Sequence, residues 1–170
     1  MEKFLKGLLL AALVLFCQSA WAIGNNEIHY TTTDGCKIQL NEEIALGATV
    51  ISNTYENGKG VITFDRDIVI LTESAFEGST TLASISLPES ICAMQEATFA
   101  GCDALTDIKL PSSVIRIGDF AFYGCSSLTH VTMQDTTTVG VSAFEGCICL
   151  TKIDVVKGEG NVEELLNSHR

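Results

Sequence analysis

The chain has few basic residues. Its 170 residues include 10 Lys and Arg against 21 Asp and Glu, which gives a formal net charge of −11 at pH 7. A chain this acidic is repelled by phosphate backbones and by anionic lipid headgroups. The composition therefore predicts no nucleic-acid partner, and the simplest interpretation of the charge is that it keeps the protein soluble.

Long apolar runs are missing as well. The run near the start, residues 7–17, has 11 residues, whereas a membrane-spanning helix needs about 20. Lys3 and Lys6 precede this run, and Ala20 and Ala22 flank Trp21, the single tryptophan, in a small-x-small pattern. This layout predicts a cleaved signal peptide over residues 1–22, export to the cell surface or beyond it, and no transmembrane segment. Acylation of Cys17 is the alternative, and it is disfavoured because Phe16 is large.

The residues that usually make metal or catalytic sites are sparse and scattered. His29, His130 and His169 lie far apart, and no C-x-x-C pair is present. Cys147 and Cys149 are two residues apart, which matches neither a redox motif nor a set of four zinc ligands. Without a histidine placed to activate a nucleophile, the sequence predicts no enzyme, no metal and no cofactor.

What the chain does have is an internal repeat. Phenylalanines recur at intervals of 23, 23 and 22 residues, and three further apolar columns keep the same spacing. The four columns are Phe76, Phe99, Phe122 and Phe144; Leu82, Leu105, Leu128 and Leu150; Ile85, Ile108, Val131 and Ile153; and Leu87, Leu110, Met133 and Val155. A period in this range indicates stacked repeats, each of which buries its apolar side against its neighbours.

Each unit reads A-F-x-G-C-x-x-L-x-x-I-x-L-P. The alternation from Ile108 to Leu110 predicts a short strand with both residues inward, and Pro111 ends it. Ala121-Phe122 predicts one helical or 3₁₀ turn that Gly124 closes. The fold class is therefore a β-rich α/β solenoid of the leucine-rich type, with a parallel sheet built from about four to five 23-residue repeats.

Four segments divide the chain. Residues 1–22 form the signal peptide, 23–60 an N-terminal cap, 61–156 the repeats and 157–170 a C-terminal cap or tail. Within the N-terminal cap, Asn57-Gly58 predicts a β-hairpin, and Asp34-Gly35 predicts a second strand–turn–strand unit. Asn161 followed by Glu164 predicts a short capping helix near the C-terminus.

The repeated cysteines fit a packing role. Cys102, Cys125 and Cys147 share one register with Ser79, so the position favours a small residue, and free cysteine packs as a small hydrophobe. We therefore expect free thiols there, in a structural ladder with Phe76, Phe99, Phe122 and Phe144. An exported chain with six remaining cysteines also invites disulfides, and a Cys36–Cys92 pair stays possible.

The A-F-x-G-C-x-x-L-x-x-I-x-L-P unit resembles the repeat of the BspA-type leucine-rich repeat proteins. The stretch YTTTDG…ISNTYENGKGVITFD is similar to the leader of many bacterial members. The resemblance implies a secreted or surface protein of the adhesin or host-interaction kind, with no catalytic site to carry over.

The side chains between the inward strand residues are the expected binding surface. The sequence predicts a face that binds a protein or a glycan, on a chain that is monomeric; the alternative is a structural component of a surface assembly without its own ligand. The predicted face comprises Val61, Thr63, Ser84, Ser86, Asp107, Lys109, His130, Thr132, Lys152 and Asp154.

Overall fold

The computed structural model describes residues 24–41 and 43–157 and contains eleven strands in that part of the chain. The strands are β1 Glu27–Thr32, β2 Val50–Glu56, β3 Lys59–Phe64, β4 Ile70–Leu71, β5 Leu82–Ser86, β6 Ala93–Met94, β7 Asp107–Lys109, β8 Arg116–Ile117, β9 His130–Gln134, β10 Thr138–Val139 and β11 Lys152–Val156.

In the stack, long strands alternate with short strands along the chain from β4 to β11. The short strands pair in parallel in the order β10-β8-β6-β4, and the long strands β11, β9 and β7 form a second parallel sheet. The strand β5 belongs instead to a four-stranded sheet with the order β2-β3-β1-β5. The described residues thus form a solenoid of about four coils, as the repeat predicts.

The N-terminal segment closes one end of this stack. Strands β2 and β3 form an antiparallel hairpin around Asn57 and Gly58, whose φ values of 52° and 78° suit a type I′ turn. β1 then lies between β3 and β5 and pairs with both in antiparallel fashion. The edge of β5 that faces the N-terminal end is therefore covered, which prevents pairing with another chain there.

The second strand–turn–strand unit predicted around Asp34-Gly35 is wrong in its second half. Residues 37–40 are not a strand, and both edges of β1 are already occupied by β3 and β5. The turn itself is closed by side chains, because the Asp34 carboxylate accepts a hydrogen bond from the Cys36 N–H at 3.0 Å. Asn53 then donates to the Ile38 carbonyl at 3.0 Å, which holds the loop against the hairpin.

A stack of phenylalanine rings runs along the core. Ring centroids of Phe76 and Phe99 lie 5.1 Å apart, those of Phe99 and Phe122 5.3 Å, and those of Phe122 and Phe144 5.2 Å. The first three rings are fully buried, and Phe144 is half-buried in the last described coil. Because the interplanar angles are 9° or less, the spacing of the rings follows the spacing of the coils.

The single turn predicted at Ala121-Phe122 is present, because the Tyr123 N–H donates to the Phe120 carbonyl at 2.9 Å, but it does not continue into a helix, and no helix occurs among residues 24–41 and 43–157. The Phe122 N–H donates to Ala143 in the next coil at 2.8 Å, and Phe99 likewise donates to Ala121 at 2.7 Å. These amides are thereby unavailable for a helix. The segment therefore forms a third hydrogen-bonded column along the stack, beside the two sheets.

Two predicted segments fall outside the described residues, namely the signal peptide over 1–22 and the capping helix near Asn161. Within the described part of the chain, no helix is long and apolar enough to cross a membrane.

Candidate binding surface

The outward side chains of the long strands form two rows across the solenoid. In one row Asp107 lies beside His130, and His130 lies beside Lys152. In the other, Lys109 lies beside Thr132, and Thr132 lies beside Asp154. The parallel register therefore brings together six of the predicted face residues, because each recurs at the repeat interval and points away from the core.

Three side chains at the β9–β11 end form one charged group. Asp154 Oδ2 lies 2.9 Å from His130 Nε2 and 2.7 Å from Lys152 Nζ. The hydrogen bond from Lys152, and then the one from His130, lowers the pKa of the Asp154 carboxyl below its ordinary value. This end of the face therefore presents an ionised carboxylate that already has two partners.

The face extends onto β1, which sequence analysis missed. His29 lies opposite Ser86, and Thr31 lies opposite Ser84 with their hydroxyl oxygens 2.7 Å apart. Val61 and Thr63, which the predicted face includes, lie on β3, and β1 separates them from Ser84 and Ser86 on β5. The alternation of apolar Ile28 and Tyr30 with polar His29 and Thr31 is a sequence signal for a half-buried strand, although it does not show which strands β1 pairs with.

A groove separates β5 from β7. Among the described residues no backbone hydrogen bond joins these two strands, whereas β7, β9 and β11 are continuously paired. The groove has a volume of about 280 Å³. Its lining consists of Ser84, Ile85, Ser86, Leu87, Glu89, Asp107, Lys109, Leu110 and Pro111. Four predicted face residues, two serines and the charged pair of β7, thus border one concave site.

The repeated cysteines lie inside the stack. Each thiol points to a phenylalanine carbonyl of the preceding coil, with Sγ–O distances of 3.2 Å for Cys102 to Phe76, 3.1 Å for Cys125 to Phe99 and 3.0 Å for Cys147 to Phe122. All six cysteines of the described residues are free thiols. The cysteine therefore supplies a hydrogen-bond donor as well as a small side chain, a role that packing arguments alone did not reveal.

Two of these thiols, Cys102 and Cys125, are poor nucleophiles, whereas the hydrogen bond with Cys125 lowers the pKa of the Cys147 thiol. Burial raises the pKa of the Cys102 thiol to about 12. The hydrogen bond with Cys147, together with burial, raises the pKa of Cys125. Since the thiolate is the reactive form, neither residue has the properties of a catalytic cysteine.

Cys92 also lies in a register of the stack. Its N–H donates to Val69 at 2.8 Å, and its carbonyl accepts from Ile115 at 2.9 Å. The 23-residue spacing of Val69, Cys92 and Ile115 was visible in the sequence.

Cys36 and Cys149 are exposed. Within the part of the chain that the structure describes, no group of three or more His, Cys, Asp or Glu side chains could hold a metal ion.

Comparison with protein families decides what this solenoid is. The model of the BspA-type leucine-rich repeat region matches residues 51–167 in six copies. The chain belongs to this family. The resemblance seen in the repeat sequence is thereby confirmed, and the BspA-type repeat accounts for the stacked coils described above. No curated protein matches the chain.

Three solved structures are similar to the chain. A leucine-rich repeat protein from Bacteroides ovatus is 35% identical over 51% of this chain and 23% of its own length, with a TM-score of 0.50. A leucine-rich cell surface protein from Faecalibacterium prausnitzii is 24% identical over 55% of this chain and 31% of its own, with a TM-score of 0.44. A leucine-rich repeat protein from T. pallidum is 18% identical over 75% and 83%, with a TM-score of 0.45. The chain therefore spans about a quarter to a third of the first two proteins.

Proposed function

We propose that this BspA-type protein is an exported, monomeric and non-enzymatic module that binds a protein or glycan ligand at the cell surface. The observation that carries the proposal is the groove between β5 and β7, where outward side chains of two strands border one concave site of about 280 Å³. The Faecalibacterium prausnitzii relative is described as a cell surface protein, which supports the location.

The groove offers polar groups on rigid walls. Lys109 and Asp107 supply opposite charges on β7, and Ser84 and Ser86 supply hydroxyls on β5. Glu89 at one end is held in place, because its carboxylate accepts hydrogen bonds from the N–H and the hydroxyl of Ser112, both at 2.9 Å. A ligand with hydroxyl or amide groups finds both donors and acceptors there, and binding costs little ordering because the strands are already fixed.

Charge reversal at the groove tests the proposal. Wild-type chain and the variant Lys109→Glu are compared on an immobilised glycan array and on a panel of purified extracellular proteins. We expect the variant to lose at least tenfold in affinity for the ligand that the wild type binds, because an interfacial charge is reversed. The matched control is Arg116→Glu, the same kind of charge change on the short-strand sheet, and it should bind like the wild type.

The alternative function is a structural component of a surface assembly with no ligand of its own. It predicts no binding above background on either panel, and that result would contradict the ligand-binding proposal. Equal binding by wild type, Lys109→Glu and Arg116→Glu would show that the ligand does not bind in the groove, and would contradict the proposed site.

A further inference from the structure

A pair of exposed aromatic rings lies away from the long-strand face. Phe120 and Tyr123 flank the buried Phe122 in the third A-F turn, and 38% and 46% of their respective surfaces are exposed. Their ring centroids are 5.9 Å apart at an interplanar angle of 76°, which is an edge-to-face contact. Val141 of the next coil is 70% exposed, and its carbonyl accepts a hydrogen bond from Phe120 N–H at 3.0 Å.

The other coils show what this position needs for folding alone. The register of Phe120 is occupied by Ser74, Ala97 and Ser142, and all four residues have φ between 52° and 56°. In this left-handed region a bulky side chain is an outlier, whereas the neighbouring coils have small side chains. An outlier of this kind at an exposed position points to a role in function rather than in packing.

All charged side chains in the turn segments around the pair are acidic. We define the turn face as residues 73–78, 96–101, 119–124 and 141–146, which the third hydrogen-bonded column holds side by side. This face contains no Lys, Arg or His. Its acidic members are Glu73, Glu77, Glu96, Asp119 and Glu145, of which Asp119 is half-buried and the others are exposed.

We propose that the turn face is a second binding surface, and that it takes a protein segment in which Lys or Arg lies next to an apolar side chain. Aromatic rings attract Lys and Arg cations over their faces, and tyrosine is a frequent hot-spot residue. The surrounding carboxylates add charge complementarity and disfavour acidic partners. Val141 and the two rings supply an apolar contact, so a bound segment gains from apolar burial as well as from electrostatic attraction.

Selection from a random 12-residue peptide library, displayed on phage and applied to the immobilised full chain, tests this proposal. The variant Phe120→Ser with Tyr123→Ala serves for counter-selection. Its substitutions introduce the residues found at the same register in neighbouring coils, at Ser74 and Ser142 and at Ala100, so it should fold. We expect enrichment of peptides that combine Lys or Arg with an apolar residue, and at least tenfold weaker binding of those peptides to the double variant.

Two further measurements complete the test. Lys109→Glu, which alters the groove of the long-strand face, should bind the selected peptides within twofold of wild type. The proposal for the turn face is thereby tested independently of the proposal for the groove. If the double variant lacks a cooperative melting transition, Phe120→Ala with Tyr123→Ala replaces it, following Ala97 and Ala100. Enrichment of acidic peptides, no enrichment at all, or equal binding to the folded variant would overturn the proposal.

Discussion

At the scale of single residues, the cysteine register shows how one position can serve packing and hydrogen bonding together. The thiol of Cys125 is fully buried and donates to the carbonyl of Phe99 in the preceding coil. Without that donor, one lone pair of a buried carbonyl would lose its partner. The serine at residue 79, in the same register of the first coil, is the other small side chain that can donate.

Replacing Cys125 by serine should therefore be milder than replacing it by alanine. Alanine removes the donor and leaves a small void, at a cost of about 1–2 kcal/mol in the free energy of unfolding, and serine should cost less because it keeps a donor. Urea denaturation followed by circular dichroism measures both. The exposed Cys149→Ala is the control and should stay within about 0.5 kcal/mol of wild type. Equal losses for serine and alanine would show that the thiol acts through volume alone.

Alkylation should separate the cysteines by burial. At pH 8 the thiol of Cys102, with its pKa raised to about 12, is almost entirely protonated and therefore unreactive. We expect iodoacetamide to modify exposed Cys36 and Cys149 in the native chain and to reach Cys102 and Cys125 only after unfolding. Peptide mass mapping reads out the sites. Rapid native labelling of Cys102 would contradict the buried ladder.

The carboxyl of Asp154 should titrate below the ordinary range for aspartate, since Lys152 and His130 both stabilise its ionised form. A depressed pKa means that the stabilising contribution is present above the unfolded pKa and is lost as the pH falls through the folded pKa. Carbon-13 NMR of the side-chain carboxyl should show an upward shift of the midpoint in Lys152→Met. Lys109→Met, on β7, should leave it unchanged. If Lys152→Met left the titration midpoint of Asp154 unchanged, the ion pair between Lys152 and Asp154 would be ruled out in solution.

At the scale of elements, the repeat indicates which residues are inward but not how the strands at the end of the stack are ordered. The inward prediction for Leu105, Ile108 and Leu110 agrees with exposed fractions of 2% or less. The insertion of β1 was hidden, because an antiparallel strand from outside the repeat has no 23-residue partner to reveal it. The sequence also does not show why the turn at Ala121-Phe122 stops after one hydrogen bond, which is that the Phe122 amide bonds to the next coil.

The stacked phenylalanine rings should contribute unequally to the free energy of unfolding. Phe99 is fully buried between Phe76 and Phe122, and Phe144 is half-buried in the last described coil. We expect Phe99→Ala to lower the free energy of unfolding by about 3–5 kcal/mol. The same substitution at Phe144 should cost clearly less, because less surface leaves water on folding. Denaturant titration of both variants tests the order, and a larger loss at Phe144 would refute it.

At the scale of the whole molecule, one core joins the N-terminal cap to the repeats. The buried cluster is continuous from Ile28 in β1 to Cys147 in the last described coil. The solenoid could be predicted from the sequence, and so could the outward position of the six face residues on β7, β9 and β11, because both follow from the periodicity. It could not predict the groove, which arises where β5 pairs with β1 while β7 pairs with β9. Nor could it single out Phe120, whose exposure depends on how the coils stack.

The gap between β5 and β7 also has a mechanical consequence. On the opposite side of the same two coils, β4 and β6 remain paired, and the turn column remains joined from Phe76 N–H to the Thr98 carbonyl at 2.8 Å. Backbone hydrogen bonds therefore join the two coils along the short strands and along the turns, but not along the long strands. We expect a small bend between these two coils to change the width of the groove without breaking a backbone hydrogen bond and without altering either strand, so that the curvature of the solenoid and the width of the groove are coupled.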